Sequence, residues 1–263
     1  MPPVNPWLNL NLNSNQIIAN DPAEINAIEN LASKLAGDYA LHLNILPEPF
    51  WGDLKNANVY ILSGNPGYGK VEQKYNNDPI FEQATQDNIT QNNPHIVWID
   101  PNKPIDNGGK DVPHPGHDYW LKRTRVLREA IANLSKCNIE DVKLNICIIE
   151  YFPYHSKKIS SKMKTEGPKL PSSKFVDYYI EKAILDEKWI VIARCKNDWT
   201  HRINGHWMDC KLEDYKNRGK VLITHSQQMY LTPRNLVNKD ELKNYECPED
   251  APTWKKLVEA CKN

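Results

Sequence analysis

The sequence predicts an α/β fold: a three-layer sandwich with a mostly parallel central sheet between helices. Three observations carry this. Short apolar runs rich in β-branched residues recur at Asn58–Leu62, Asn145–Tyr151, Trp189–Ala193 and Lys220–Thr224, each bounded by polar or turn residues. Longer segments of helical periodicity separate them. Their alternation is what parallel strands joined by helical crossovers require.

Taken in order, residues 1–21 are rich in Asn and Pro and read as an N-terminal arm on the surface. Residues 22–263 read as a single domain. Asp21 caps a helix that Pro22 opens. That helix is expected to run to about His42, with Ile25, Ile28, Leu31, Leu35 and Tyr39 on one face. After the first strand, His95–Asp100 is a second candidate strand. Residues 101–118 then form a long loop carrying Gly108-Gly109, and a loop of that length usually has a function. Tyr119–Leu134 is a strong helix, Pro171 begins another that ends near Leu185, and a last helix starts near Pro252.

Bulk properties narrow the function. Lys plus Arg number 33 and Asp plus Glu number 33, so nucleic-acid binding must come from a local patch. The 6 cysteines show no C-x-x-C pair and read as reduced thiols, and no metal or other cofactor is expected. The first twenty residues have no basic stretch followed by an apolar one, and no apolar run is long enough to span a bilayer. A cytoplasmic, monomeric enzyme is the expectation.

Sites in open α/β sheets form at the C-terminal strand ends. Four polar loops follow strand ends here: Ser63–Lys70, the segment from Asp100, Glu150–Ser156 and His225–Asn235. In the first, the glycines and a proline are expected to impose a particular backbone. Gly64-x-x-x-x-Gly69-Lys70 approaches a phosphate-binding loop, but the next residue is Val71, which offers no oxygen to a magnesium ion. Pro66 also removes a backbone N–H.

A second pattern accounts for more of the chain. Leu62-Ser63-Gly64-Asn65-Pro66-Gly67 resembles the first motif of the uracil-DNA glycosylase superfamily. Gly108-Gly109 with Tyr119-Trp120-Leu121-Lys122, then Glu150-Tyr151-Phe152-Pro153-Tyr154-His155-Ser156, then Tyr230-Leu231-Thr232-Pro233-Arg234-Asn235-Leu236 resemble later motifs of an atypical bacterial branch. The resemblance runs from about Pro47 to Leu236. It implies a uracil-DNA glycosylase-like fold and a monofunctional DNA glycosylase that flips a base and leaves an abasic site. Tyr230 stands where better-known branches carry a histidine.

The resemblance implies that Asn65 positions the attacking water. Asp100 is the rival activator, or a capping aspartate. Glu150 falls where a related branch has a uracil-reading Asn. An ionised carboxylate only accepts hydrogen bonds, which suits the amino group of cytosine and repels the O4 of uracil. A protonated Glu150 would instead be an acid toward the leaving base, and an ion pair at a strand end is the structural alternative. A cytosine glycosylase must spare its own genome, so a modified cytosine of phage DNA, hydroxymethylated or α-glucosylated, is the expected substrate. Uracil or hypoxanthine repair is the alternative. Asn107, Lys110, His114, His117 and Asp118 are polar enough to meet a sugar.

Tyr68, Trp98, Phe152 and Tyr230 are candidates to contact the flipped base, with Tyr154 beside them, although Trp98 on an apolar strand is as readily core. Thr232, Arg234, Asn235, Lys157 and Lys158 are candidates for DNA phosphates. The stretch His155–Lys174 holds six lysines and one acid, and Lys122, Arg123, Arg125 and Arg128 add a basic helix face. DNA is therefore the expected partner. A phosphate-loop hydrolase and a non-catalytic DNA binder remain the outside readings.

Overall fold

The computed structural model describes all residues except 1, 13, 70, 73, 74, 76, 77, 97–114, 207–211, 227 and 263. Five strands form one sheet: β1 Phe50–Trp51, β2 Val59–Leu62, β3 Ile146–Ile149, β4 Trp189–Ile192 and β5 Val221–Ile223. Their spatial order is β1-β3-β2-β4-β5. The four longer strands run parallel, and β1 is an antiparallel edge paired to the end of β3. The β1 edge ends at Gly52. Its φ is +100°, and a Cβ there would lie 2.5 Å from the Ile146 carbonyl, so no other residue fits without displacing β3.

The helices are α1 Pro22–Ala32, α2 Pro79–Thr90, α3 Pro115–Ser135, α4 Ser161–Glu166, α5 Pro171–Leu185, α6 Lys196–His206, α7 Leu212–Asn217, α8 Pro233–Leu236, α9 Lys239–Leu242 and α10 Pro252–Cys261. They cover both sheet faces. Val59 and Ile61 of β2 join Phe81, Trp120, Leu127 and Trp254 in one apolar layer. Tyr60 and Leu62, pointing the other way, join Ile28, Phe175, Ile180 and Trp199 in the second. Burial on both faces is why the strands read as unbroken apolar runs. The β2–β3 connection lies on one face, and the helices after β3 and β4 lie on the other. A crevice therefore opens outside the ends of β2, β3 and β4.

Several sequence expectations are corrected. The first helix stops at Ala32, and a short 3-10 turn at Gly37–Tyr39 follows. Gly37 has φ +61°, which a continuing helix cannot accommodate. The N-terminal arm lies on the surface only in part, with Val4 and Leu8 exposed. Trp7, Ile17, Ile18 and Ala19 are buried, Ile17 N–H donates to the Leu43 carbonyl, and Trp7 lies against Tyr154. Apolar residues at those positions pull the arm into the core layer it borders. His95 and Ile96 are not in a strand, and the rest of His95–Asp100 lies outside the described residues.

Candidate functional site

Three strand ends are joined tightly at the crevice. The Ser63 N–H donates to the Ile149 carbonyl at 2.7 Å, and the Phe152 N–H to the Gly64 carbonyl at 2.9 Å. Ala193 and Arg194 both donate to the Leu62 carbonyl. Helix α6 locks the group from below: Trp199 Nε1 donates to the Ser63 carbonyl at 2.6 Å, and the buried Arg202 donates to the carbonyls of Tyr151 and Ser173. Asp177 forms an ion pair with Arg202 at 2.9 Å. The loops after β2, β3 and β4 are therefore tied to one another.

The special backbone expected of the first loop does not come from left-handed glycines. Gly64, Gly67 and Gly69 have no positive φ. A Cβ at Gly69 would meet only the end of the Glu72 side chain, with Oε2 at 3.0 Å. The loop's carbonyls, moreover, are spent inward. Gly64 accepts from Phe152, Pro66 from Ser156 and Asn65, and Gly67 faces the His155 ring.

Asn65 is held by its amide nitrogen. Nδ2 donates to the Pro66 carbonyl at 3.0 Å, the Ser156 carbonyl at 3.0 Å and Ser156 Oγ at 2.9 Å. Two carbonyls around one atom require that atom to be the donor, so the amide orientation is fixed by chemistry. Oδ1 has no hydrogen-bond partner among the described residues, and Asn65 lines a cavity at these strand ends. Ser156, completely buried, is itself anchored by donation to the Lys158 carbonyl.

That cavity has a volume of about 440 Å³, within the range of small-ligand sites. Glu48, Glu72 and Glu150 line it, together with Ser63, Tyr119, Trp120, His155 and Arg194. Burial pushes the Glu150 carboxyl up to about 7, against the Ser63 hydroxyl, the Arg194 guanidinium and the Gly64 N–H, while Glu48 adds to the rise. Among the described residues, Glu150 Oε2 is buried without a hydrogen-bond partner, as is Glu72 Oε2. Burial likewise pushes Glu48 up to about 8, with the Trp51 indole N–H opposing and Glu72 adding. Among the described residues no cluster of His, Cys, Asp or Glu is arranged to hold a metal ion.

Of the residues expected at the site, Asn65 and Glu150 converge on this cavity, and Lys157 and Lys158 line it too. The two lysines share Asp38, at 3.0 Å and 2.8 Å, which is held below the usual carboxylate range by hydrogen bonds from Lys158 and Lys157. The other aromatics are placed differently. Phe152 is fully buried in the core against Tyr154, because its side chain points to the α1–α5 face. Tyr154 is core as well and donates to Glu24. Tyr68 stacks flat on His42, centroids 3.2 Å apart, and is not in the cavity wall. Asp100, Trp98, Lys70 and the polar residues Asn107, Lys110 and His114 lie outside the described residues.

The last motif lines a separate open concavity of about 500 Å³ made by His225, Ser226, Tyr230, Thr232, Arg234 and Asn235. Thr232 and Arg234 flank its α8 wall. The Asn235 amide is committed to the loop: Oδ1 accepts from Ser226 N–H, and Nδ2 donates to the Gln228 and Tyr230 carbonyls. It shapes the loop and has little left for a phosphate. The guanidinium of Arg123 lies over Tyr119 at 3.7 Å and Tyr230 at 5.1 Å, and so joins the two concavities. The basic face expected on α3 is broken up, since Arg128 is buried on the Ile139 carbonyl and Arg125 pairs with Glu129.

Sequence reading missed Glu48, Glu72, His155 and Arg194 as wall residues, and Tyr119 and Trp120 as its aromatics. Glu48 stands between two prolines just before an apolar pair, which was the available signal. Compared with family models, curated proteins and solved structures, the chain matches none. Among the described residues no helix is long and apolar enough to cross a membrane.

Proposed function

We propose that this chain is a DNA glycosylase of the uracil-DNA glycosylase-like kind, acting on a modified cytosine and leaving an abasic site. One observation carries the reading. The Asn65 amide nitrogen is held by three contacts while its Oδ1 has no partner among the described residues, on the same cavity as the partly unpaired Glu150. Asn65 Oδ1 orients a water toward the sugar C1′. An amide is a weak base, so the rate depends on stabilising the departing base and the oxocarbenium-like sugar. Glu150, when ionised, accepts from the exocyclic amine of cytosine and disfavours uracil O4. Tyr119 and Trp120 supply aromatic walls for an extruded base. On this reading Lys157 and Lys158, which share Asp38, and Arg234 are the cations assigned to phosphates.

A nucleotide hydrolase is disfavoured by the same wall. Three carboxyls line the cavity, and the first loop has Pro66, which carries no N–H, where a phosphate cradle needs donors. Restricting the substrate to a cytosine modification absent from the host, as in glucosylated phage DNA, explains how such an activity is tolerated.

The test is a panel of duplex and single-stranded DNAs containing glucosylated hydroxymethylcytosine, hydroxymethylcytosine, uracil or hypoxanthine, each incubated and then cleaved with alkali. Strand breaks confined to modified-cytosine DNA are expected. Breaks in uracil DNA alone would replace this substrate with uracil repair. ATP hydrolysis without breaks would replace the activity altogether.

A further inference from the structure

Glu48 and His155 form a second functional group in the cavity wall. Glu48 Oε2 accepts from Trp51 Nε1 at 3.0 Å, and Oε1 lies 3.4 Å from His155 Nε2. The His155 ring is almost completely buried. Its Nδ1 faces the Gly67 carbonyl at 2.7 Å and its Nε2 the Leu46 carbonyl at 3.0 Å. A neutral imidazole has one N–H and leaves one of those carbonyls facing a lone pair, whereas an imidazolium serves both. Moving one proton from Glu48 to His155 therefore repairs a contact and leaves the pair's total charge unchanged. Two further carboxyls surround the pair. Glu72 reaches it from the helical turn after the first loop, more than nine-tenths buried and with Oε2 unpartnered, and Glu150 from the end of β3. Their presence opposes loss of the pair's proton. Arg194 at the end of β4 and Lys157 and Lys158 at the rim are the cations on the same wall.

We propose that Glu48 is the acid that gives a proton to the departing base, and that His155 is the positioning residue that holds this proton in reserve. This rests on reading the cavity as a base pocket. The C1′–N bond breaks and its electron pair goes to the base. The Glu48 proton moves to a ring nitrogen or carbonyl oxygen of that base. The water held by Asn65 adds to C1′ and returns its proton to the Glu48–His155 pair. The sum is hydrolysis, with the acid restored. Burial raises the Glu48 carboxyl up to about 8 and lowers the His155 imidazole, whereas the two carbonyls favour the imidazolium, so the pair shares one proton at neutral pH.

Single-turnover base release from modified-cytosine DNA is measured across the pH range for the wild type, Glu48→Gln and Trp51→Phe, with DNA affinity in parallel. The wild type should lose activity as pH rises through about 8. Glu48→Gln should be slower by on the order of a hundredfold, lack that limb and bind DNA unchanged. Trp51→Phe removes the N–H that favours the carboxylate, so its limb should move to higher pH. A Glu48→Gln enzyme with the wild-type rate and the same limb overturns the acid role and leaves the glycosylase reading standing. A wild type that releases no base from any DNA overturns both. Should Glu48→Gln fail to fold, an unshifted limb in Trp51→Phe overturns the proposal.

Discussion

At the scale of single residues, burial raises two carboxyls of the site, Glu48 and Glu150, toward neutrality. Glu150, pushed up to about 7, changes from donor-capable to acceptor-only within the working pH range. Any excision of uracil by the wild type requires the protonated form and should fall as pH rises through about 7. Excision of a cytosine derivative should persist beyond that point. Glu150→Gln, which can both donate and accept, should raise activity on uracil relative to modified cytosine by about tenfold, an amount equal to one neutral hydrogen bond. The ratio of the two rates across pH measures this, and an unchanged ratio removes Glu150 from base reading. Asn65 and Glu150 were legible in the sequence because each sits in a short motif directly after an apolar strand. The wall aromatics were not. Which of Phe152, Tyr154 or Tyr119 faces the crevice depends on the side each crossover takes, and no local pattern encodes that.

At the scale of elements, the crevice loops are held by buried polar contacts. Glu24 of α1 is fully buried. Its carboxyl accepts from Tyr154 Oη at 2.6 Å, from Ser172 N–H at 2.7 Å and from Ser172 Oγ at 2.5 Å. One side chain thus ties α1, the loop after β3 and the start of α5. Glu24→Ala orphans these donors and should cost about 3 kcal/mol, from the penalty of leaving buried groups unpaired. Denaturant unfolding measures it, and a loss of under about 1 kcal/mol would mean the loop is held otherwise. The strands β2 to β5 lie within two residues of their expected limits, because burial on both faces gives each a distinct apolar run. Helix α6 escaped notice because Trp199 and Ile203 are its only buried hydrophobics among mostly polar neighbours. Helix α2 likewise has little apolar contrast. The two-residue β1 is too short for any periodicity and exists only by pairing with β3.

At the scale of the whole molecule, the cavity carboxyls set how stability depends on pH. Glu48 binds its proton more tightly when folded, since burial raises it from 4.5 to about 8. The folded state then holds more protons than the unfolded chain across that interval, so stability is greatest at the acid end and is lost as pH rises through about 8. His155, lowered by burial, acts in the opposite sense and is exhausted above the ordinary histidine range. The unfolding midpoint should therefore decline from near neutrality to above pH about 8, and Glu48→Gln should flatten that decline. A midpoint that rises over this interval in the wild type would contradict the protonation assigned to the wall. The arm at residues 1–21 belongs to the same body through Trp7, Ile17 and Ile18, so its removal should expose core rather than trim a surface segment.

The central claim is that the Asn65 cavity hydrolyses an N-glycosidic bond. The most direct measurement is the mass of free base released into solution from DNA containing glucosylated hydroxymethylcytosine, for the wild type and for a folded Asn65→Ala. The wild type should release the intact modified base. Asn65→Ala should be slower by on the order of a hundredfold, as when a fixed hydrogen-bonding group is lost from a reacting centre. Release at the wild-type rate from Asn65→Ala, or no free base from the wild type, would contradict it.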